Sequence, residues 1–173
     1  MRKRFEGRVA IVTGAGCVGP GWGNGRATAV QLAEEGASVL AVDRDLTRVA
    51  ETIERAGALG AAGCIDRFGH IDVLVNNVGG SAAGGPVEMT EAVWDSQIDH
   101  NLKSVFLACK HVLPQMIERK SGAIVNIAST SGLRWTGAAA LALVGWPKRV
   151  HALPPRTRTL SLFSVNTGEK LSD

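Results

Sequence analysis

A glycine-rich loop follows the first apolar run of the chain and could bind a diphosphate. The run 8–13 (RVAIVT) has the β-branched, apolar composition of a buried parallel strand, and Gly14 opens the loop directly after it. Backbone N–H groups at such a strand-to-helix turn bind phosphate oxygens, because glycine lets the backbone approach the ligand and a helix N-terminus attracts negative charge. A structural glycine turn is the alternative, since Gly14, Gly16 and Gly19 would match a GxGxxG pattern by chance in a chain with 21 glycines.

A carboxylate after the next apolar run favours a dinucleotide site over a structural turn. The run 37–42 (ASVLAV) predicts a second strand, and Asp43 follows it, 18 residues after Gly25. An acidic side chain at this place in a nucleotide-binding unit holds the hydroxyl groups of the adenosine ribose. Since a carboxylate repels a 2′-phosphate, Asp43 favours NAD over NADP, and Arg44 beside it weakens this preference slightly.

The elements that must position these residues alternate between strands and helices. Helical periodicity predicts three helices, and two further apolar runs predict strands. The helices are 24–35, 45–55 and 90–119, and the strands are 71–75 and 123–128. We expect Pro114 to kink or interrupt the last helix. This alternation is typical of an α/β fold in which helices cover both faces of a parallel sheet.

The alternation of strands and helices ends at about Ala140. The remaining stretch contains three prolines, scattered arginines and no sustained period. We therefore expect residues 1–139 to form an incomplete dinucleotide-binding domain and residues 140–173 to form a poorly ordered tail.

Composition indicates a globular chain and excludes several other classes. A chain of 173 residues with 45% hydrophobic and 20% charged residues can bury the core of one domain. The net charge of +3 is carried by the segment from Pro147 onward, a distribution that argues against nucleic-acid binding. No apolar run is long enough for a membrane span, and three cysteines without a CxxC spacing are typical of reduced thiols in the cytoplasm. His100, Cys109 and His111 lie on different faces of a helix, which argues against a metal site.

Five motifs in a fixed order carry a resemblance to a known family. They are the loop TGAGCVGPGWGNG at 13–25, Asp43, NNVG at 76–79, HNLKSVF at 100–106 and IVNIAS at 124–129. Over most of residues 5–139 the chain resembles the short-chain dehydrogenase/reductase family. The glycine motif of that family is TGxxxGxG, and here it is expanded by an insertion. Thr13 and Gly14 match its start, and Gly23 and Gly25 match the GxG beside the helix.

The resemblance implies NAD-dependent hydride transfer between a small-molecule alcohol and a ketone or other carbonyl compound, on a Rossmann-like doubly wound sheet. It also implies roles for particular residues. Thr13, Gly14, Gly23, Gly25 and Asp43 would bind the cofactor, Asn76 and Gly79 would lie beside its ribose, Asn101 would serve a proton relay through water, and Ser129 would hydrogen-bond the substrate oxygen.

Several of these polar residues also have a purely structural interpretation. Asn77, beside Asn76, could merely tie adjacent strands together. Asn101 could satisfy a backbone carbonyl of its helix, and Ser129 or Ser131 could cap the turn that follows the strand.

The chain departs from the family at the proton donor. Members carry a YxxxK motif beyond the serine, in which tyrosine is the acid/base and lysine lowers its pKa. This chain contains no tyrosine, and Val144 stands four residues before Lys148. Turnover is therefore expected to be absent or impaired, because hydride transfer to a carbonyl needs a proton donor near working pH. The alternatives are a non-catalytic dinucleotide-binding remnant, a partner of full-length relatives, or a chain whose tail is read out of frame.

A second departure concerns the sheet. The family order is 3-2-1-4-5-6-7, and this chain has no room for the third, sixth and seventh strands, so a contiguous 2-1-4-5 sheet remains. Because crossovers between parallel strands are right-handed, we expect helix 45–55 on the opposite face from its usual one. A sheet face covered by few helices and two open sheet edges predict exposed apolar surface. We therefore expect a homo-oligomer through helix 90–119.

Overall fold

The computed structural model describes residues 3–56, 68–85 and 87–129. In chain order its elements are β1 (Val9–Thr13), α1 (Asn24–Glu34), β2 (Ser38–Val42), α2 (Leu46–Ala56), β3 (Val73–Asn76), α3 (Glu91–Ile98), a π-helical turn (Asp99–Lys103), α4 (Ser104–Glu118) and β4 (Ala123–Asn126). The predicted strands and helices coincide with these elements to within a few residues. Helix α4 continues through Pro114, and the irregular part of the predicted helix 90–119 is the π-helical turn instead.

The chain divides into two compact units. Met1–Gly80 and Glu91–Ile127 form the first, which holds the whole sheet. Ser81–Thr90 and Ala128–Asp173 form the second, of which residues 81–85, 87–90, 128 and 129 are described. The predicted domain boundary at residue 139 and the tail 140–173 lie outside the described residues and stay predictions.

The sheet has four parallel strands in the order β2-β1-β3-β4. Ile11 in β1 stands opposite Leu40 on one side and Leu74 on the other, and Leu74 stands opposite Ile124. In the family's numbering this is the 2-1-4-5 order, so the predicted incomplete doubly wound α/β sheet is confirmed. The two central strands are β1 and β3.

Alternate residues of the strands face two separate cores. On one face Ala10 and Val12 of β1 pack with α1 and α2, and on the other Val9 packs with α4. The first core consists of Ala10, Val12, Ala15, Ala29, Leu32, Val39, Ala41, Val49 and Val75, and the second of Val9, Ile71, Leu74, Val112 and Met116.

The prediction that helix 45–55 would lie on the opposite face is wrong. Val49 of α2 packs in the same core as Ala29 and Leu32 of α1. The physical reason is a set of buried polar contacts between the two helices, in which Arg26 of α1 donates to the Thr52 hydroxyl (3.1 Å) of α2. These contacts keep α2 beside α1.

Asp72 is a buried carboxylate at the start of β3 that joins three segments. It is 5% exposed, and its Oδ2 accepts a hydrogen bond from the Val9 N–H (2.9 Å). Its Oδ1 accepts from Arg119 Nη2 (3.0 Å) and from Arg8 Nη1 (3.3 Å). Burial acts to raise the pKa of this carboxyl, but the hydrogen bonds from Val9 and Arg119 outweigh burial and hold the pKa of Asp72 below its ordinary value.

Replacing Asp72 by Asn is expected to lower the free energy of unfolding by about 2 kcal/mol at neutral pH, because Arg119 and Arg8 lose their charged acceptor. Since the folded pKa of Asp72 is depressed, its carboxylate stabilises the fold above about pH 4 and loses this contribution as the pH falls through the folded pKa. Urea unfolding of wild type and Asp72→Asn at neutral and acidic pH measures the difference, which should close on acidification.

The matched control is Asp99→Asn. The exposed carboxylate of Asp99 pairs with Lys103 at 3.0 Å, and its removal should change the free energy of unfolding much less. If the difference in unfolding free energy between wild type and Asp72→Asn stays constant with pH, the Asp72 carboxylate does not stabilise the fold through its charge.

Candidate functional site

The carboxyl ends of β1 and β3 lie side by side where the direction of the chain reverses. From β1 the chain proceeds to β2 on one side of the sheet, and from β3 it proceeds to β4 on the other. In open parallel sheets ligands bind in the crevice at such a reversal, outside the carboxyl ends of the strands. Of the predicted site residues, Thr13 and Asn76 are the last residues of these two strands, and Gly14 follows Thr13.

The Thr13 hydroxyl ties the end of β1 to the turn after β3. It donates to the Val75 carbonyl (3.3 Å) and accepts from the N–H groups of Asn77 (3.1 Å) and Val78 (3.4 Å). Asn77 Nδ2 donates to the Gly14 carbonyl (2.9 Å), which is the strand-tying role considered for this residue. The glycine loop and the NNVG turn are thus fixed to one another.

Helix α1 contacts the end of β1 with no room for a side chain. Gly14 has φ of +64°, in the left-handed region, and a Cβ there would lie 3.1 Å from Asn77 Nδ2. A Cβ at Gly25 would overlap the Gly14 carbonyl oxygen and lie 2.5 Å from Asn77 Nδ2. Gly23 differs, since a Cβ there would meet Cys17 Sγ at 3.4 Å, an ordinary contact. Protein packing therefore requires glycine at 14 and 25 and leaves space at 23.

The amino terminus of α1 is not capped by a side chain. Gly23 is the N-cap residue with extended backbone (φ −101°, ψ 162°), and the first turn carries no acidic residue. The first N–H groups of a helix have no partner within the helix, and together with the helix dipole they bind anions. This terminus directly follows the glycine-rich loop, and its N–H groups can hold a diphosphate there.

Asp43 lies against the start of the same loop. Its Oδ2 accepts from the Gly16 N–H (3.0 Å), and its Oδ1 accepts from the Asp45 N–H (3.1 Å). Arg48 forms an ion pair with Asp45 (2.9 Å), and the Thr47 hydroxyl, which donates to Asp45, holds the pKa of that carboxyl below its ordinary value. The end of β2 thus presents an acidic group next to the loop backbone, and the predicted role of Asp43 at the adenosine ribose stays a prediction.

Arg26 is a functional candidate that sequence reasoning missed. Its side chain is 1% exposed and forms an ion pair with Glu51 Oε2 (2.7 Å), although it lies in the first turn of α1. The Arg55 side chain, with Arg26, holds the pKa of Glu51 below its ordinary value. A signal was present in the sequence, since Arg26 shares a helical face with Ala29 and is the charged residue of that apolar face.

Asn76 contacts the far side of the sheet. It is 3% exposed, and its Nδ2 donates to Asn126 Oδ1 (2.8 Å) in β4 and lies 3.6 Å from Cys109 Sγ in α4. These contacts hold β3 to β4 and to α4. The predicted place of Asn76 beside the cofactor ribose stays a prediction.

Asn101 holds the turn after β3 to the helix. Its Oδ1 accepts from the Gly80 N–H (3.0 Å), and its Nδ2 donates to the carbonyls of Gly80 (2.9 Å) and Gln97 (2.8 Å). A Cβ at Gly79 would lie 3.0 Å from Asn101 Oδ1, so the turn passes close to this side chain. Asn101 is the central residue of the π-helical turn, a local distortion that often marks functional sites.

Ser129 follows β4 by three residues and is exposed, and it belongs to the second unit. Its predicted contact with the substrate stays a prediction. Ser131 and the stretch around Val144 and Lys148, where the YxxxK motif would stand, lie outside the described residues.

Comparison with known proteins assigns the chain to a family. A family model described as short chain dehydrogenase matches residues 60–140. An uncharacterized oxidoreductase of Staphylococcus epidermidis is 31% identical, with 98% of this chain and 76% of that protein covered. The crystal structure of a proposed short-chain dehydrogenase/reductase from Burkholderia xenovorans superposes with a TM-score of 0.75 at 52% identity, covering 79% of this chain and 62% of that chain. The chain belongs to the short-chain dehydrogenase family.

The chain of this short-chain dehydrogenase family member spans less than two thirds of the length of several relatives that it matches. The BbsD subunit of a hydroxy(phenyl)methylsuccinyl-CoA dehydrogenase from Thauera aromatica is 39% identical over 154 residues, which are 78% of this chain and 59% of that protein. The family binds nicotinamide dinucleotides, NAD or NADP, acts on small molecules and often forms oligomers. Within the described ranges no helix is long and apolar enough to cross a membrane, and no cluster of three or more potential metal ligands occurs.

Gly25→Ala is expected to destabilise the fold strongly, because the new methyl group would overlap the Gly14 carbonyl. Overpacking of this kind costs about 1–3 kcal/mol or more. Thermal unfolding measures the effect, with Gly19→Ala as the control in the same loop, since a Cβ at Gly19 meets no atom within 4 Å. Equal melting temperatures for the two variants would contradict the close contact of α1 and β1.

Proposed function

We propose that this short-chain dehydrogenase family member binds NAD in the crevice at the carboxyl ends of β1 and β3. The backbone N–H groups at the amino terminus of α1 would hold the diphosphate, and the Asp43 carboxylate would hold the adenosine ribose. The bound cofactor supplies hydride chemistry between an alcohol and a carbonyl carbon.

The observation that carries this proposal is the different steric environment of the three glycines. Gly14 provides the tight turn and Gly25 the close helix–strand contact, and both are explained by packing inside the protein. Gly23 has space for a Cβ and stands at the uncapped helix terminus. It occupies the position at which a dinucleotide fingerprint lets the backbone approach a pyrophosphate.

Asp43 supports NAD rather than NADP as the cofactor. A phosphate on the 2′-oxygen would lie next to a carboxylate that already accepts hydrogen bonds from Gly16 and Asp45. The exposed Arg44 reduces this repulsion without removing it.

We further propose that hydride transfer is impaired in this chain. Ser129 would hydrogen-bond the substrate oxygen, and Asn101, which holds the turn at Gly80, would support a relay of protons. The sequence holds no tyrosine to act as acid/base. The alternative is a non-catalytic dinucleotide-binding remnant or a partner of full-length relatives. A cytoplasmic location stays a prediction.

A fluorescence titration with NADH tests the proposal. We expect saturable binding in the roughly micromolar range, with NADPH weaker by about tenfold or more because of Asp43. Assays with simple alcohols and ketones should give slow or no turnover. Saturating NADH that leaves the melting temperature and the intrinsic emission unchanged would contradict binding, and ordinary turnover would contradict the impairment.

The matched variant for cofactor choice is Asp43→Asn, which has the same shape and no charge. It should narrow the difference between NADH and NADPH, because a neutral amide does not repel the 2′-phosphate. An unchanged preference would show that another group selects the cofactor.

An apolar stripe on the exposed side of α4 supports a homo-oligomer. Phe106, Leu113 and Ile117 of α4 are between 39% and 69% exposed, and their spacing places them on one side of the helix. Leu102, in the π-helical turn before α4, is also exposed. Lys110 lies among them, with its Nζ 5.9 Å from the centre of the Phe106 ring. We propose that a second copy of the chain covers this stripe.

Replacing Phe106 and Ile117 together by Glu is expected to convert the oligomer to a monomer, because a carboxylate buried in an apolar interface is strongly unfavourable. Light scattering coupled to size exclusion measures the mass. Val87→Glu, at a residue that is 92% exposed, is the control and should leave the mass unchanged. A double variant with the mass of the wild type would contradict the interface.

A further inference from the structure

A buried polar network fastens both ends of the expanded glycine loop to α2. The Arg26 guanidinium donates from Nη1 to the Gly21 carbonyl (2.6 Å) and from Nε to Thr52 Oγ1 (3.1 Å). The Thr52 hydroxyl in turn donates to the Ala15 carbonyl (2.8 Å). Residues 16–20 therefore lie between two carbonyls that are held by one network, which we call the loop brace (Arg26 and Thr52).

At the second end of the loop, Arg26 sets the orientation of a peptide group. The described chain contains no cis peptide bond, and in a trans peptide the carbonyl and the following N–H point in opposite directions. Because the Gly21 carbonyl points to Arg26, the N–H of Trp22 points away from the brace. Arg55 of α2 lies over the Trp22 ring, 5.0 Å from its centre, and holds the same part of the loop.

At the first end, Thr52 has the corresponding effect. The Ala15 carbonyl points to the Thr52 hydroxyl, and the next N–H, that of Gly16, points to Asp43 Oδ2 (3.0 Å). At both ends the carbonyl oxygens are turned toward α2. An anion near the loop then meets neither of these two carbonyl oxygens, and at the second end the Trp22 N–H points away from the brace, as the amides of an anion-binding loop need to do.

We propose that Arg26 and Thr52 are positioning residues for dinucleotide binding, which hold the expanded glycine loop with its carbonyl oxygens turned away from the diphosphate. This inference rests on the proposed function and adds two residues that act through the loop backbone. Both are buried, at 1% and 0% exposure, so they act without touching the ligand.

The brace depends on features that conservative substitutions can separate. Arg26 also donates to the Arg48 carbonyl (3.2 Å) and pairs with Glu51 (2.7 Å). The several N–H groups of its guanidinium thus bind different partners, and the single ammonium group of a lysine could not replace them. Thr52→Val keeps the shape of the side chain and removes only the hydroxyl. Thr52→Ser retains the hydroxyl and should restore the contact with Ala15.

The test measures the dissociation constant of NADH for wild type, Thr52→Val and Thr52→Ser, at a temperature where circular dichroism shows every variant folded. If loss of the hydroxyl leaves the loop in its binding conformation about one-tenth of the time, the constant rises about tenfold for Thr52→Val. Thr52→Ser should bind like the wild type. Thr47→Val is the control on the same helix, because its hydroxyl contacts Asp45 and not the loop.

Competition with ADP and adenosine separates positioning from a general loss of structure. Thr52→Val should weaken ADP, which carries the diphosphate, and leave adenosine unchanged. Equal NADH affinity in wild type and Thr52→Val would overturn the inference, as would equal weakening of ADP and adenosine. Failure of the wild type to bind NADH would overturn the proposed function itself and the inference with it. If Thr52→Val does not fold, Arg26→Gln is measured with the same readouts.

Discussion

The contact between the start of α1 and the end of β1 is the constraint on which the rest of the site depends. At Gly25 the helix backbone meets the Gly14 carbonyl with no space for a methyl group. The helix terminus therefore lies at the carboxyl edge of the sheet, where Asp43 also contacts the glycine-rich loop. A ligand at this edge would meet both the helix dipole and the carboxylate. A larger residue at either position would push the helix away and separate the anion-binding groups.

Polar side chains hold the two central strands, β1 and β3, to each other and to neighbouring segments at both ends of the strands. At the carboxyl edge the Thr13 hydroxyl and Asn77 tie β1 to the turn after β3. At the opposite edge Asp72 binds the Val9 N–H and Arg119. Each tie joins segments that are far apart in sequence. The hydrogen bonds of these buried polar groups offset the cost of their desolvation, and they fix which strands pair.

The elements and their order could be predicted from the sequence, and so could the tie that Asn77 makes as one alternative, whereas most other contacts between elements could not. Apolar periodicity marks β1 and α1, and the motif at 76–79 marks the turn that β1 contacts. The placement of α2 could not be predicted from a rule on crossovers, because it depends on Arg26 reaching Thr52, a residue 26 positions away. Nor does local periodicity reveal the π-helical turn at Asn101, whose side chain is held by Gly80 from another segment.

In the proposed function, cofactor binding and turnover depend on different parts of the chain. The contacts that shape the loop are made by Asp43 after β2, by Thr52 in α2 and by Asn77 in the turn after β3. Arg26 in α1 adds its bond to the Gly21 carbonyl. All of these contacts lie in the described part of the chain. On the other side, β4 is largely exposed and α4 leaves an apolar stripe uncovered. The groups proposed to act on a substrate, Asn101 and Ser129, come later in the chain than the loop. A chain can therefore keep the loop contacts proposed for a dinucleotide while its sequence has no phenol to supply the proton.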